Sequence, residues 1–213
     1  MKHLGLVSLL VLVCLAPVCA DDAYGKGWIS LFDGKTLAGW TQINGTATYE
    51  VVEGTIVGTT AEGSPNSFLC TEKNYSDFIL EFEVKVDDSL NSGVQIRSQS
   101  LPDYQEGRVH GYQVEIAAGG GSGFIYDEAR RGWLTNHREN PDAKSAFKPG
   151  EWNQYRIVCL GKSIMTWVNG IPVAHIEDEM TLTGFIGLQV HSYSGEKPAQ
   201  VAWRKIRIKE LSE

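Results

Sequence analysis

The stretch Phe78–Ile79–Leu80–Glu81–Phe82–Glu83–Val84–Lys85–Val86 alternates apolar and charged residues with a strict period of two. Only a half-buried antiparallel strand turns that spacing into one apolar and one wet face, here Leu80, Phe82, Val84 and Val86 against Glu81, Glu83 and Lys85. Shorter runs of the same kind recur at 49–52, 55–58, 68–70, 93–98, 112–116, 123–126, 155–160, 163–168, 171–176, 184–190 and 200–208. Turn signals separate them: Glu53–Gly54, Asn91–Ser92–Gly93, Gly161–Lys162 and Asn169–Gly170. The last pair suits the two positive-φ positions of a tight hairpin. No long apolar stripe with a period of 3.6 appears beyond the N-terminus, so the expected fold class is all-β, a jelly-roll sandwich of two antiparallel sheets. The polar stretch from Asp127 to Gly150, with Glu128, Arg130, Arg131, His137, Arg138 and Lys144, reads as one long loop of the kind that serves as a lid or binding loop.

The N-terminus is set apart before the fold is read. Lys2 precedes an apolar run from Leu4 to Val13, and small residues lead to Ala20 before Asp21 and Asp22. This is the pattern of a secretory signal peptide ending at Ala20, and the run is shorter than the about 20 residues a membrane span needs. Cys14 and Cys19 lack the context of a lipidated cysteine. The expected organisation is therefore a leader at 1–20 and a single domain at 21–213, exported to the periplasm or the exterior. The formal charge is −7, and loss of Lys2 makes it −8. An acidic chain with no basic run argues against nucleic acid and anionic membrane as partners. Cys70 and Cys159 remain, either as a bridge or as two buried thiols. No segment carries a signal for oligomeric state.

Several strands place unusual side chains on the face away from the core. Gln95 and Arg97 alternate with Val94 and Ile96, Gln113 and Glu115 with Val114, Gln189 and His191 with Val190, and Trp167 and Asn169 flank Val168. A plain solvated face carries Lys, Glu, Thr and Ser. Amide, imidazole, carboxylate and indole groups together favour a carbohydrate ligand, with planar donors and acceptors for hydroxyls and an aromatic face for the ring. His191 suits a base titrating near neutrality, and Glu115 between Val114 and Ile116 suits one whose pKa burial raises. Arg130 and Arg131 are placed to close over an anion.

Familiar catalytic templates are missing. There is no Gly-x-Ser-x-Gly, His-Glu-x-x-His, phosphate loop or Cys/His zinc cluster. The run Gly119–Gly120–Gly121–Ser122–Gly123 lies between strands and reads as a turn. Glu115 is followed by Ile116, Ala117 and Ala118, so the strand lacks the closely spaced carboxylates of retaining jelly-roll glycosidases.

Seven motifs in order resemble one family: Trp28 to Trp40, Asn91–Ser92–Gly93–Val94 with Arg97, Gly111 to Ile116, Gly150–Glu151–Trp152–Asn153, Trp167–Val168–Asn169–Gly170, Leu188 to His191 and Trp203 to Ile208. Together they are similar to the 3-keto-disaccharide hydrolase domain family, over about residues 27 to 211. The resemblance implies a concanavalin-A-like jelly roll acting on glycosides oxidised at C3, which replaces paired carboxylates by one base, donors for an enolate and an acid for the leaving oxygen. It implies His191 or Glu115 as the base and Arg97, Gln113 or Gln189 at the ketone. It also implies Trp167 and Tyr126 against the ring, with Asn169 and Arg131 completing the substrate contacts. The chain departs from the usual Gly-Tyr-Glu-x-Gln order, since Gln113 and Glu115 have exchanged places, and Lys205 stands where Asn is common. A divalent cation at Glu115 with Asp127, Glu128 or His191 is an alternative stabiliser of the enolate. The alternative function is a lectin-like carbohydrate-binding domain of the same fold.

Overall fold

The computed structural model describes residues 27–136 and 140–211. The predicted leader at 1–20, His137 and Arg138 lie outside them. The described residues form fifteen strands: β1 (Ile29–Ser30), β2 (Trp40–Ile43), β3 (Thr48–Val52), β4 (Thr55–Thr59), β5 (Ser67–Thr71), β6 (Phe78–Val86), β7 (Asn91–Gln99), β8 (His110–Ala117), β9 (Ile125–Glu128), β10 (Gly132–Trp133), β11 (Asn153–Leu160), β12 (Ser163–Val168), β13 (Ile171–Glu177), β14 (Phe185–Val190) and β15 (Gln200–Glu210). All pairings are antiparallel. One sheet runs β13-β12-β11-β6-β15-β4-β3, with β1 beside β15, and the other runs β10-β9-β8-β7-β14-β5-β2. Two antiparallel sheets with strands that cross repeatedly between them make a jelly-roll β-sandwich.

The alternation of β6 is what seats it centrally in the first sheet, between β11 and β15. Leu80, Phe82, Val84 and Val86 are all buried, and Phe82 stacks on Tyr155 of β11 with ring centroids 5.1 Å apart. Trp203 of β15 and Tyr49 of β3 pack in parallel planes nearby. From the second sheet Val94, Ile96, Tyr112, Val114, Ile186 and Leu188 fill the facing half of the core. Each such side chain contributes about 1.5–3 kcal/mol through burial. On the outer face of β6, Glu81 accepts from Arg156 and Arg207, and Glu83 from Arg204 and Lys205.

The structure differs from expectation in three places. Asn91–Ser92–Gly93 is not a turn but the start of β7, because Gly93 is needed inside the sheet where Gln113 crosses it. The strand expected at 123–126 begins and ends two residues later, so Glu128 leaves the predicted loop and joins β9. The rest of that loop carries β10 and a 3₁₀ turn at Pro141–Ser145. Cys70 and Cys159 are both buried and unbridged. Cys159 belongs to the core between the sheets, whereas Cys70 sits in a smaller cluster with Phe68, Val109 and Phe185. No helix among the described residues is long and apolar enough to cross a membrane.

Candidate functional site

The outer face of the seven-stranded sheet is set by register. Tyr126 on β9 stands opposite Gln113 on β8, Gln113 opposite Gln95 on β7, and Gln95 opposite Gly187 on β14. One pair further along, Glu115 stands opposite Gly93, and Gly93 opposite Gln189. Three glutamines and one glutamate thus meet on three adjacent strands, with Tyr126 beside them on a fourth. Gln113 is their hub: its Oε1 accepts from Gln95 Nε2 at 2.6 Å and from Gln189 Nε2 at 2.9 Å, while its Nε2 donates to Glu115 Oε2 at 2.9 Å. Asn91 Nδ2 donates to the other oxygen of Glu115. A Cβ on Gly93 would come within 2.5 Å of Gln113 Cδ, so the glycine is the space that lets Gln113 lie across β7.

Above this network is a cavity of about 260 Å³ lined by Gln113, Glu115, Asn91, Tyr126, Trp133, Glu128, Asn66, Arg108 and His191. It adjoins a second space of about 580 Å³ that shares Asn66, Arg108, Glu128 and His191 and adds Asn44, Gln105 and Glu106. Gln105 and Glu106 both adopt positive φ there. The aromatic wall is Tyr126 and Trp133, edge to face with centroids 5.3 Å apart. Trp133 is 51% exposed, an open indole face of the kind that packs on sugar C–H groups. Burial raises the Glu115 carboxyl above the usual carboxylate range, against the pull of the Gln113 and Asn91 amides and of nearby His191; Glu128 adds to the rise. His191 follows β14, half-buried, with Nδ1 2.7 Å from the Ser192 carbonyl. Glu128 Oε1 lies 3.5 Å from both Asn66 Nδ2 and Arg108 Nη2.

Of the residues expected at the site, the structure brings together Glu115, His191, Gln113 and Tyr126, with Gln189 buried beneath them and reaching the cavity only through Gln113. Four others lie elsewhere. Arg97 sits in a β-bulge, where β7 advances three residues from Ile96 to Gln99 while β8 retreats two, and its φ is 48°. Its buried guanidinium therefore leaves the groove face and donates to the Ser76 and Gly161 carbonyls and to Asp77 Oδ1, at 2.6, 2.7 and 2.8 Å, fastening the second sheet to the first. Arg131 is held by Asp127 and Asp178, and Asp127 pairs with the inward-facing Tyr112, so both belong to the face opposite Tyr126. Trp167 lies on β12 of the other sheet, opposite Pro172. Asn169 is the positive-φ corner of the β12–β13 hairpin, accepting from Gln154 N and donating to the Ala146 carbonyl.

Of the partners considered for a cation at Glu115, Asp127 is committed to two arginines while Glu128 and His191 line the same cavity as Glu115, and no group of three or more His, Cys, Asp or Glu converges on a metal position among the described residues. The sequence points to no site role for Asn66, Asn91, Arg108 or Trp133, and to Glu128 only as a cation ligand. Glu128 and Asn91 lie two residues from Tyr126 and Gly93 on alternating strands, which is a usable signal once the strand ends are right; Asn66 and Arg108 come from loops and carry none.

Solved structures with this architecture include a candidate glycosyl hydrolase from Parabacteroides distasonis (21% identity, TM-score 0.66, 87% of this chain and 94% of that one). They also include carbohydrate-binding module CBM66 from Bacillus subtilis (15%, 0.58, 81% and 96%). A third is a prokaryotic β-1,3-1,4-glucanase (lichenase) derived from a mouse hindgut metagenome (11%, 0.56, 86% and 98%). Among curated proteins none matches. At these identities the likeness establishes the fold. The lineage is carried by the sequence itself, which the model of the 3-keto-alpha-glucoside-1,2-lyase-like domain matches from residue 27 to residue 209, across every strand that builds the groove: the chain belongs to the 3-keto-disaccharide hydrolase family.

Proposed function

We propose that this protein cleaves glycosides whose sugar ring carries a ketone at C3, with Glu115 as the base. One observation carries the reading: a buried carboxylate, held on both oxygens by neutral amides and paired with no Lys or Arg among the described residues, forms the floor of an aromatic-walled groove. Such a group is a stronger base than an ordinary glutamate and is fixed in aim. The C3 ketone acidifies C2–H. Glu115 takes that proton, the C–H electron pair moves to the C3 oxygen as an enolate, and the enolate collapses to form C1=C2 as the C1–O bond breaks. The leaving oxygen takes a proton from His191, the acid in this scheme. Water then adds across C1=C2, its hydroxyl to C1 and its proton to C2, so the sum is a hydrolysis. Arg108, the cation that lines the groove, takes the place at the ketone that the resemblance implied for Arg97, and there steadies the enolate oxygen.

The rival reading is a carbohydrate-binding domain without turnover, which the Tyr126–Trp133 wall suits equally well. Incubation with a 3-keto-disaccharide separates the two. Free 3-keto-sugar, released with or without chelator, is the expected result; tight retention with no release makes the protein a binding module. Export is part of the proposal and rests on residues 1–20. N-terminal sequencing of the protein from the culture medium or periplasm should begin at Asp21.

A further inference from the structure

Trp133 also lines a second cavity of about 470 Å³, built on the β8–β9 connection, and its character is opposite to that of the polar end of the groove. From residue 117 to residue 121 the wall is Ala, Ala, Gly, Gly, Gly, and a Cβ placed on Gly119 or Gly120 would meet nothing within 4 Å. Ala143 and three aromatic side chains, Phe124, Phe147 and Trp133 itself, add further apolar wall. Gly121, at φ 91°, brings the turn against the indole, a Cβ there lying 3.1 Å from Trp133 Cη2 and 3.6 Å from Glu115 Cγ. The cavity and the candidate base thus share one glycine as a wall. Ser122 offers little to a ligand, because its hydroxyl both accepts from Ala117 N and donates to the Ala117 carbonyl; Asn136 and Lys144 complete the polar lining.

We propose that this cavity is an aglycone subsite for glycosides whose leaving group is an aromatic, phenol-type ring. The inference rests on the reading that the groove beside Glu115 holds the sugar. A second hexose entering here would bury several hydroxyls against Ala, Gly and aromatic walls, with Asn136 and Lys144 too few to serve them all, and each unpaired one is costly. A planar ring needs no donors beyond its glycosidic oxygen and meets two aromatic faces. The hydroxyl-rich ring belongs at the other end, among Asn44, Asn66, Gln105, Glu106 and Arg108.

Titration calorimetry with unoxidised phenyl glucoside and methyl glucoside tests the subsite apart from the chemistry, since neither ligand has the ketone that elimination needs. Phenyl glucoside should bind about tenfold more tightly, the scale of one packed aromatic contact. Gly119→Phe should fill the cavity and remove that preference while leaving methyl glucoside affinity unchanged. Phe147→Leu should weaken the preference, and it serves if the first variant melts early. Equal affinities in the wild type, no binding of either ligand, or a preference that survives both variants overturns the subsite. Turnover of a 3-keto-disaccharide without any phenyl preference would leave the elimination reading standing alone. Phenyl preference without turnover of any 3-keto-glycoside would leave the subsite standing alone.

Discussion

A buried polar side chain belongs either to function or to architecture, and its partners decide which. Glu115 and Arg97 face the same question with opposite answers. Glu115 has only neutral donors, Gln113 and Asn91, so ionising it gains hydrogen bonds and the pull of nearby His191 but no Lys or Arg partner among the described residues. Glu115→Gln should keep the fold and lower turnover of a 3-keto-glycoside by about 10²–10⁴, the usual contribution of a positioned base. In the wild type, kcat/KM should rise with pH through an acidic limb displaced above the ordinary carboxylate range, because burial favours the protonated form. A limb at an ordinary carboxylate pKa, or turnover in Glu115→Gln close to that of the wild type, removes Glu115 from the base role. Arg97 is fully buried and bound to two carbonyls and to Asp77, away from the groove. Arg97→Met leaves that set unpaired and should cost about 3–5 kcal/mol in chemical denaturation, with KM unchanged in whatever remains folded. Period-two counting placed Gln113 and Glu115 on the groove face, since β8 is regular there; it misplaced Arg97 because one extra residue in β7 reverses every side chain after it.

At the level of elements, the groove depends on strands fitting over one another as much as on what they carry. β7 has Gly93 where a side chain would block Gln113, and β8 has Gln113 where only a long amide can span Gln95, Gln189 and Glu115 at once. Gly93→Ala should therefore act through geometry: a methyl 2.5 Å from Gln113 Cδ must push that amide aside, costing about 1–3 kcal/mol as overpacking and releasing one hold on Glu115. The expected signature is a fall in kcat larger than the rise in KM; a wild-type kcat would mean that Gln113 does not aim the base. Twelve of the fifteen strands were legible as alternating runs, and the three that were not, β1, β2 and β10, have two to four residues, too few for a period to show. The end of β9 was misjudged for a related reason. Asp127 and Glu128 look like loop residues, but Asp127 is neutralised by Arg130 and Arg131 and Glu128 faces the groove, so a strand can carry both. Trp167 and Asn169 followed the same alternation as the groove residues. Their face points outward from the other sheet, and a one-dimensional pattern does not say to which sheet a strand belongs.

For the molecule as a whole, a salt-bridged carboxylate and a desolvated one pull stability in opposite directions with pH. Asp178 accepts from Arg131 and Tyr112, and its pKa is lowered to about 2 from 3.8, so the stability it contributes is present above about pH 4 and lost as pH falls toward 2. Glu115 is the reverse case. Its folded pKa is raised from 4.5, so its contribution is complete below that value, where it is protonated in both states, and is lost as pH rises through the folded pKa. Above its folded pKa the protein holds an ionised Glu115 at a cost that unfolding would relieve, which is the expected condition of a base kept ready in a buried site. Gln matches the neutral acid in size and charge, and a flip of the Asn91 amide presents its Oδ1 to the new amide N–H where Nδ2 donates in the wild type, which makes Glu115→Gln the direct measure of that cost. The variant should be more stable than the wild type at pH 7 in urea denaturation, and the difference should shrink as the pH is lowered to 4, with m-values unchanged throughout. Asp178→Asn in parallel should lose stability at pH 7 and converge on the wild type near pH 2. A Glu115→Gln protein less stable than the wild type at pH 7, or more stable by the same margin at both pH values, would show that the carboxylate is not strained by burial, and the chemical argument for its basicity would go with it.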